Sequence, residues 1–113
     1  MHIDHYSFGR IIIDGKTYAS DVIIYPDRVD ASWWRKEGHY LQKSDLAGII
    51  AVNPDLLIVG TGAHGVMSVP ESTIAFLESH NISVLREKTD AAVDLFNNQP
   101  QGKKVVAALH LTC

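Results

Sequence analysis

The fold class is decided by one stretch of the chain, Leu56-Leu57-Ile58-Val59-Gly60-Thr61-Gly62-Ala63-His64-Gly65. Its first four residues form a continuous apolar run, which is typical of a strand buried on both faces of a parallel sheet. Its three glycines predict a tight loop after that strand, and a helix is expected to open near Pro70, because proline suits a first helical turn. Strand, loop and helix in this order predict an α/β fold.

Downstream of this stretch, strands and helices continue to alternate. Asn81 is expected to take the left-handed conformation after the first helix, and Thr89 to cap the second. Crossovers between parallel strands are nearly always right-handed, so we expect three parallel strands covered by helices, with the direction of the final strand left open. The predicted elements are a helix over Pro70–His80, a strand over Ser83–Glu87, a helix over Thr89–Asn97 and a strand over Val105–Leu111.

Upstream of this stretch, a β-hairpin is predicted. Tyr6–Ile13 and Thr17–Tyr25 are rich in β-branched and aromatic residues, and Asp14-Gly15 between them suits a two-residue turn. A bend or bulge is allowed for at Gly9. The predictions that follow are a short strand over Arg28–Ala31, an ordered loop over Trp33–Gln42, and a short helix that Ser44 caps and Asn53-Pro54 ends.

Size and composition indicate one domain over residues 1–113. The chain has 46% hydrophobic and 20% charged residues and a formal net charge of -3, which gives no electrostatic reason to expect nucleic-acid binding. No apolar run has the length of a transmembrane segment, and the N-terminal residues lack the features of a secretory signal. We therefore expect a cytoplasmic protein. The single cysteine, Cys113, excludes an internal disulfide framework.

The glycine loop has two interpretations. Gly60, Gly62 and Gly65 fit the spacing G-x-G-x-x-G, in which backbone N–H groups approach an anion or nucleotide at a helix start. However, Pro70 places the helix several residues after Gly65, and the lysine of a P-loop is missing. A structural turn or a small-ligand loop is therefore favoured over dinucleotide binding, and no cofactor is expected.

The histidines and the cysteine do not form a convincing metal or catalytic set. His2 with His5, and His110 with Cys113, are three residues apart in predicted strands, where odd separations point to opposite faces. No base is evident beside Cys113, so neither a metal site nor a catalytic thiol is expected. His64 is the better polar candidate because it lies in the glycine loop, although a histidine that only caps a turn is an equal alternative.

The segment Trp33–His39 also has two interpretations. Two indoles, a guanidinium and an imidazole are typical of a lid or a partner-binding surface, because aromatic residues and arginine dominate interface hot spots. The alternative is packing, in which one tryptophan fills the core under the hairpin and the other borders a pocket or stacks on Arg35. The candidate ligand-binding residues are therefore Gly60, Thr61, Gly62, His64, Gly65, Trp34, Arg35 and His39.

Several short motifs are spread over nearly the whole chain: Trp34-Arg35, Gly38-His39, Asp45-Leu46, Pro54, Ile58–Gly62, Gly65, Phe96-Asn97 and Ala107–Cys113. With these motifs the sequence resembles the Mth-type domain family. That family includes bacterial and archaeal proteins without an established activity, the adipogenesis-associated Mth-domain protein, and a mitochondrial complex I assembly factor of the same fold.

This resemblance implies a three-layer α/β fold with a mixed, mostly parallel central sheet, helices on both faces and an added N-terminal β-hairpin. It also implies a non-catalytic binding or assembly module for an unidentified protein partner, in the biogenesis of a respiratory or membrane complex. The alternative is an enzyme or sensor that binds a small molecule or anion at the loop Gly60–Gly65.

Overall fold

The computed structural model describes residues 1–113 and has eight strands and three α-helices. A short 3-10 turn, Lys43–Leu46, leads directly into the first helix. The strands are β1 (Ile3–Ser7), β2 (Arg10–Ile13), β3 (Lys16–Tyr18), β4 (Val22–Ile24), β5 (Val29–Asp30), β6 (Leu56–Gly60), β7 (Ser83–Glu87) and β8 (Val105–Leu109). The helices are α1 (Ala47–Val52), α2 (Glu71–Glu78) and α3 (Thr89–Asn97).

The central sheet is mixed and has the strand order β5-β4-β8-β6-β7. The three late strands are parallel, with β6 between β7 and β8. The direction of the final strand, which the sequence did not determine, is therefore parallel to β6. β4 pairs with β8 in the antiparallel direction, and β5 continues that pattern at the edge. The predicted α/β architecture with a mixed, mostly parallel sheet is confirmed.

The central sheet is covered on both faces, which gives the three predicted layers. One apolar cluster lies between the sheet and α1 with α2, and the other lies between the sheet and α3 with the N-terminal strands. Asn97 at the end of α3 holds β1 in place, since its side chain exchanges two hydrogen bonds with the backbone of Ile3. All five residues of β6 are buried, as their apolar character predicts.

The N-terminal region is a separate three-stranded antiparallel sheet, β1-β2-β3. The predicted turn at Asp14-Gly15 is present, and both residues have positive φ angles. The two predicted ribbon strands are each divided, however. Gly9, with a φ of 74°, turns the chain between β1 and β2, and the run Thr17–Tyr25 changes sheets after Tyr18. The end of that run, β4, belongs to the central sheet.

Three predicted helix starts differ from the structure. The turn before α1 begins after Gln42 rather than at Ser44, because the Asp45 carboxylate accepts a hydrogen bond from the Gln42 N–H. Pro70 is the residue before α2 and is extended. Thr89 is the first residue of α3 rather than its cap, and its hydroxyl makes hydrogen bonds with Gly62 and His110, which follow β6 and β8. Asn81 has the predicted positive φ.

Candidate functional site

The carboxyl ends of β6, β7 and β8 meet at one edge of the sheet, as their parallel direction requires. The segments that follow them are the loop Gly60–Gly65, the turn into α3 and His110–Cys113. Thr89 joins all three segments, because its hydroxyl accepts a hydrogen bond from the Gly62 N–H (2.9 Å) and donates one to the His110 carbonyl oxygen (2.6 Å). This edge is the place where open α/β sheets usually bind ligands.

The backbone of the glycine loop fastens this edge together. Most N–H groups of the loop already donate to oxygens of the chain itself, so few donors are free. An anion at the loop would have to compete with those oxygens. Its ligand-binding role, assigned to Gly60, Thr61, Gly62, His64 and Gly65, stays a prediction. The amides of Thr61, Gly62, Ala63, Gly65 and Val66 donate to oxygens of Glu87, Thr89, Thr112, Gly62 and Cys113, respectively.

A buried polar cluster lies beside β8, and Asp21 is its centre. One Asp21 oxygen accepts hydrogen bonds from Arg35 Nη2 and His110 Nδ1, each at 2.8 Å. The other oxygen accepts one from the Leu111 N–H, also at 2.8 Å. The Arg35 and His110 side chains are only 4% and 7% exposed, so this ion pair is largely removed from water. Asp21 thereby connects the start of β4, the loop after β5 and the end of β8.

These contacts indicate the tautomer of His110 and the charge of Asp21. Because His110 Nδ1 lies against a carboxylate oxygen, we assign the proton to Nδ1, which leaves Nε2 as the nitrogen free to react or bind. Burial on its own would raise the pKa of Asp21, but hydrogen bonds from His110, the Leu111 N–H and Arg35 together lower it to about 2. Asp21 is therefore a carboxylate at any physiological pH.

Three nitrogens in this region are buried without a hydrogen-bond partner: Arg35 Nη1, His110 Nε2 and Trp33 Nε1. The Arg35 guanidinium stacks over the Trp33 ring, 4.3 Å from its centroid, so the three side chains are neighbours. Buried polar atoms normally have partners, and an unsatisfied one costs roughly 1–3 kcal/mol. The cluster therefore has unused capacity for hydrogen bonding.

The structure brings only some of the predicted site residues together. Arg35 contacts His110 directly, and the His39 ring lies edge-on to the His110 ring with 5.5 Å between centroids. Trp34 is 76% exposed, whereas Trp33 is buried on the α1–α2 face of the sheet, opposite the hairpin under which one tryptophan was predicted to pack. The side chain of His64 is exposed and lies near the ring of Phe8, 6.3 Å between centroids.

Asp21 and His110 were not predicted as site residues. One feature of the sequence pointed to Asp21 as a residue with a buried partner: it is the only acidic residue in the run Thr17–Tyr25. Such a residue needs a partner if the run is buried. His110 was considered only with Cys113, and its one further signal was its place in the run Ala107–Cys113 of the family resemblance.

Neither a large cavity nor a metal-ligand set accompanies the cluster. Three surface depressions of about 340, 370 and 390 Å³ lie elsewhere, and none is lined by Asp21, Arg35 or His110. No three His, Cys, Asp or Glu side chains are placed to hold a metal ion. None of the helices has both the length and the apolar character needed to cross a membrane.

Comparison with known families agrees with this architecture. Residues 3–110 match the family described as "Protein of unknown function (DUF498/DUF598)". The chain belongs to this family. The match extends from β1 to His110, so it includes the loop Gly60–Gly65, the turn into α3 and the Asp21–Arg35–His110 cluster of this DUF498/DUF598 member.

Solved structures with the same fold come from archaea and bacteria. A conserved hypothetical protein from Pyrococcus horikoshii is 28% identical, with a TM-score of 0.85 and full coverage of both chains. A Rhodopseudomonas palustris protein is 27% identical, with a TM-score of 0.78 over 96% of this chain and 81% of its own. A Bordetella pertussis protein described as a Mth938-like domain is 22% identical, with a TM-score of 0.74 over 97% and 85%. The predicted Mth-type fold is confirmed.

The lowered pKa of Asp21 predicts a loss of stability in acid. A folded-state pKa of about 2, against an ordinary value of 3.8, means that the unfolded chain binds more protons between these values. This contribution, about 2 kcal/mol of unfolding free energy, is complete above pH 5 and is lost progressively toward pH 2. Urea unfolding at a series of pH values would measure it.

The matched control for this experiment is an exposed carboxylate. Asp27→Asn should keep the acid dependence of the wild type, because Asp27 is 75% exposed in its pair with Arg28. Asp21→Asn should flatten the dependence. Equal slopes in all three proteins would show that Asp21 does not hold its charge through these hydrogen bonds.

Proposed function

We propose that this chain is a non-catalytic binding module that presents Trp34 to a protein partner. The observation that supports the proposal is the 76% exposure of this indole between two anchored neighbours. Trp33 and Arg35 are both buried, so the exposed side chain belongs to a loop that is held on either side. Tryptophan is among the residues most enriched at interface hot spots, where a large apolar surface is buried at a small cost in conformational entropy.

The loop that carries Trp34 is pre-organised. The Trp33 N–H donates to the Asp21 carbonyl oxygen, and Arg35 donates to the carbonyl oxygen of Gly38 from both Nε (3.2 Å) and Nη2 (2.9 Å). Farther along the loop, the Leu41 N–H donates a hydrogen bond to the Ser68 carbonyl oxygen. A surface that is already ordered loses little entropy on binding, which favours affinity.

A second apolar surface lies on the other side of the segment after β8. Phe8 is 61% exposed in the β1–β2 turn, and Val66 is 50% exposed just after the glycine loop. The Gly9 N–H donates to the Leu111 carbonyl oxygen, while the Leu111 N–H donates to Asp21. Leu111 therefore ties the turn that carries Phe8 to the cluster that anchors the Trp34 loop. This arrangement favours one binding edge over two unrelated patches.

The kind of partner follows from the family resemblance. The family resemblance implies a role in the assembly of a respiratory complex, so we infer that the partner is a subunit or intermediate of a respiratory or membrane complex. Co-purification with assembly intermediates from the native host would support this. A deletion strain with normal respiratory complexes would contradict this identification of the partner. It would not test whether Trp34 binds a protein.

Trp34→Ala should weaken partner binding at least about 30-fold, because truncating a central hot-spot residue costs 2 kcal/mol or more. The measurement is affinity for the partner recovered by cross-linking in the native host. Leu85→Ala is the matched control, since Leu85 is also a partly exposed apolar residue, 39% exposed, but lies on the edge strand β7. Equal binding by the wild type and Trp34→Ala would overturn the proposal.

A further inference from the structure

We infer that Arg35 and His110 form a binding site for one small carboxylate, which enters past His39. Two unpartnered nitrogens carry this inference: Arg35 Nη1 and His110 Nε2, both buried. They belong to side chains whose neighbouring nitrogens, Nη2 and Nδ1, are 3.2 Å apart and are both directed at Asp21. This site is separate from the protein-binding surface proposed for Trp34.

The charges of the cluster favour an anion. Arg35 is always positive, and Asp21 balances it with one negative charge. When His110 is protonated, the cluster has two positive charges and one negative charge, and a single carboxylate restores neutrality. Arg35 Nη1 is a free N–H donor, and Nε2 becomes a second donor once it is protonated, so that the pair then matches the two oxygens of a carboxylate, as in charge-assisted pairs of arginine with carboxylates.

Protonation of His110 is therefore coupled to binding. In the free protein, Nε2 has no hydrogen when Nδ1 carries the proton, so it can only accept. To donate to a carboxylate it must take up a proton, and the ligand's charge stabilises the resulting imidazolium. The titratable and charged groups around His110 are Asp21 and Arg35 in direct contact, His39 edge-on to the ring, and Tyr6, whose hydroxyl donates to the Leu111 carbonyl oxygen.

His39 provides the entrance. Its side chain is exposed, whereas the His110 ring behind it is buried, and the two rings meet edge-on. The His39 side chain makes no hydrogen bond, so only ring packing holds it, and rotation of this side chain would uncover the His110 ring. The backbone of His39 stays in place because its carbonyl oxygen accepts a hydrogen bond from the Ser68 N–H.

The experiment is a titration of the whole chain with sodium acetate near pH 6, followed by the imidazole ¹⁵N signals of His110, with sodium chloride at the same ionic strength as the reference. We expect a saturable shift of Nε2 toward the protonated form, with a Kd on the order of 1 mM. The shift should weaken as the pH is raised, because proton uptake is part of binding. A His110 signal that does not move, or that moves equally with chloride, overturns the site.

Variants test the same site independently. His110→Asn keeps a side-chain N–H for Asp21 but removes Nε2, and we expect acetate to bind at least about tenfold more weakly, the equivalent of one lost hydrogen bond. His39→Ala should leave the acetate affinity within about twofold and accelerate exchange, because it removes the cover but no donor. Trp34→Ala should bind acetate like the wild type, which separates this site from the proposed protein interface. If His110→Asn does not fold, the wild-type titration still decides.

Discussion

Gly62→Ala should lower the free energy of unfolding by about 3–5 kcal/mol, a large part of the stability of an ordinary domain. Gly62 has a φ of 109°, which residues with a Cβ rarely adopt. A Cβ there would also overlap the carbonyl oxygens of Thr112 and Cys113, and these are backbone atoms that cannot rotate away. Chemical denaturation followed by far-UV circular dichroism would measure the loss.

Gly15→Ala is the matched control for this substitution. Gly15 also has a positive φ, 81°, but no atom lies within 4 Å of the position that a Cβ would occupy. Its replacement should cost only the conformational strain, about 1–2 kcal/mol. If Gly62→Ala is no more destabilising than Gly15→Ala, the close approach of Gly62 to the segment after β8 is not a constraint on folding.

This glycine illustrates how far the sequence could predict the sheet edge. The apolar run of β6 specifies its own strand, because it is bounded by Pro54 and Gly60 and is short enough to be a buried strand. The spacing of Gly60, Gly62 and Gly65 located a loop at the strand end. It did not reveal what the glycines approach, because the carbonyl oxygens of Thr112 and Cys113 lie some 50 residues away in the chain.

The division of the run Thr17–Tyr25 into β3 and β4 could not be predicted from local sequence either, because it also depends on contacts distant in the chain. Thr17–Tyr25 has the same β-branched and aromatic character on both sides of Ala19-Ser20, so propensity alone predicts one strand. The change of sheet is decided by partners: β3 pairs with β2, whereas β4 pairs with β8. Pairing over such distances depends on the whole core, which residue patterns do not encode locally.

The cluster around Asp21 depends even more on long-range contacts. Asp21 reaches Arg35 across 14 residues and His110 across 89 residues. Arg35 was predicted as a candidate from its aromatic neighbours, but its contact with Asp21 requires the ribbon to end where it does. A single sequence contains the three residue types, and only the fold places them within hydrogen-bonding distance.

Asp21→Ala should destabilise the protein by about 3–5 kcal/mol, because it leaves the Arg35 guanidinium buried and without a counter-ion. It also removes the acceptors of His110 Nδ1 and the Leu111 N–H, so the segment after β8 loses two of its hydrogen bonds. Asp27→Ala removes an ion pair of similar length, 2.9 Å, on the surface and should cost less than about 1 kcal/mol. Urea unfolding at neutral pH would compare the two.

A double-mutant cycle separates the buried charge from the lost contacts. Arg35→Met removes the guanidinium but keeps an unbranched side chain over Trp33, and Asp21→Ala with Arg35→Met no longer has an unpaired buried charge. The double variant should therefore be more stable than Asp21→Ala alone, by about 1–3 kcal/mol. If the second substitution instead adds its full cost, the loss in Asp21→Ala comes from the missing acceptors of His110 Nδ1 and the Leu111 N–H, and the Arg35 guanidinium is hydrated once its partner is gone.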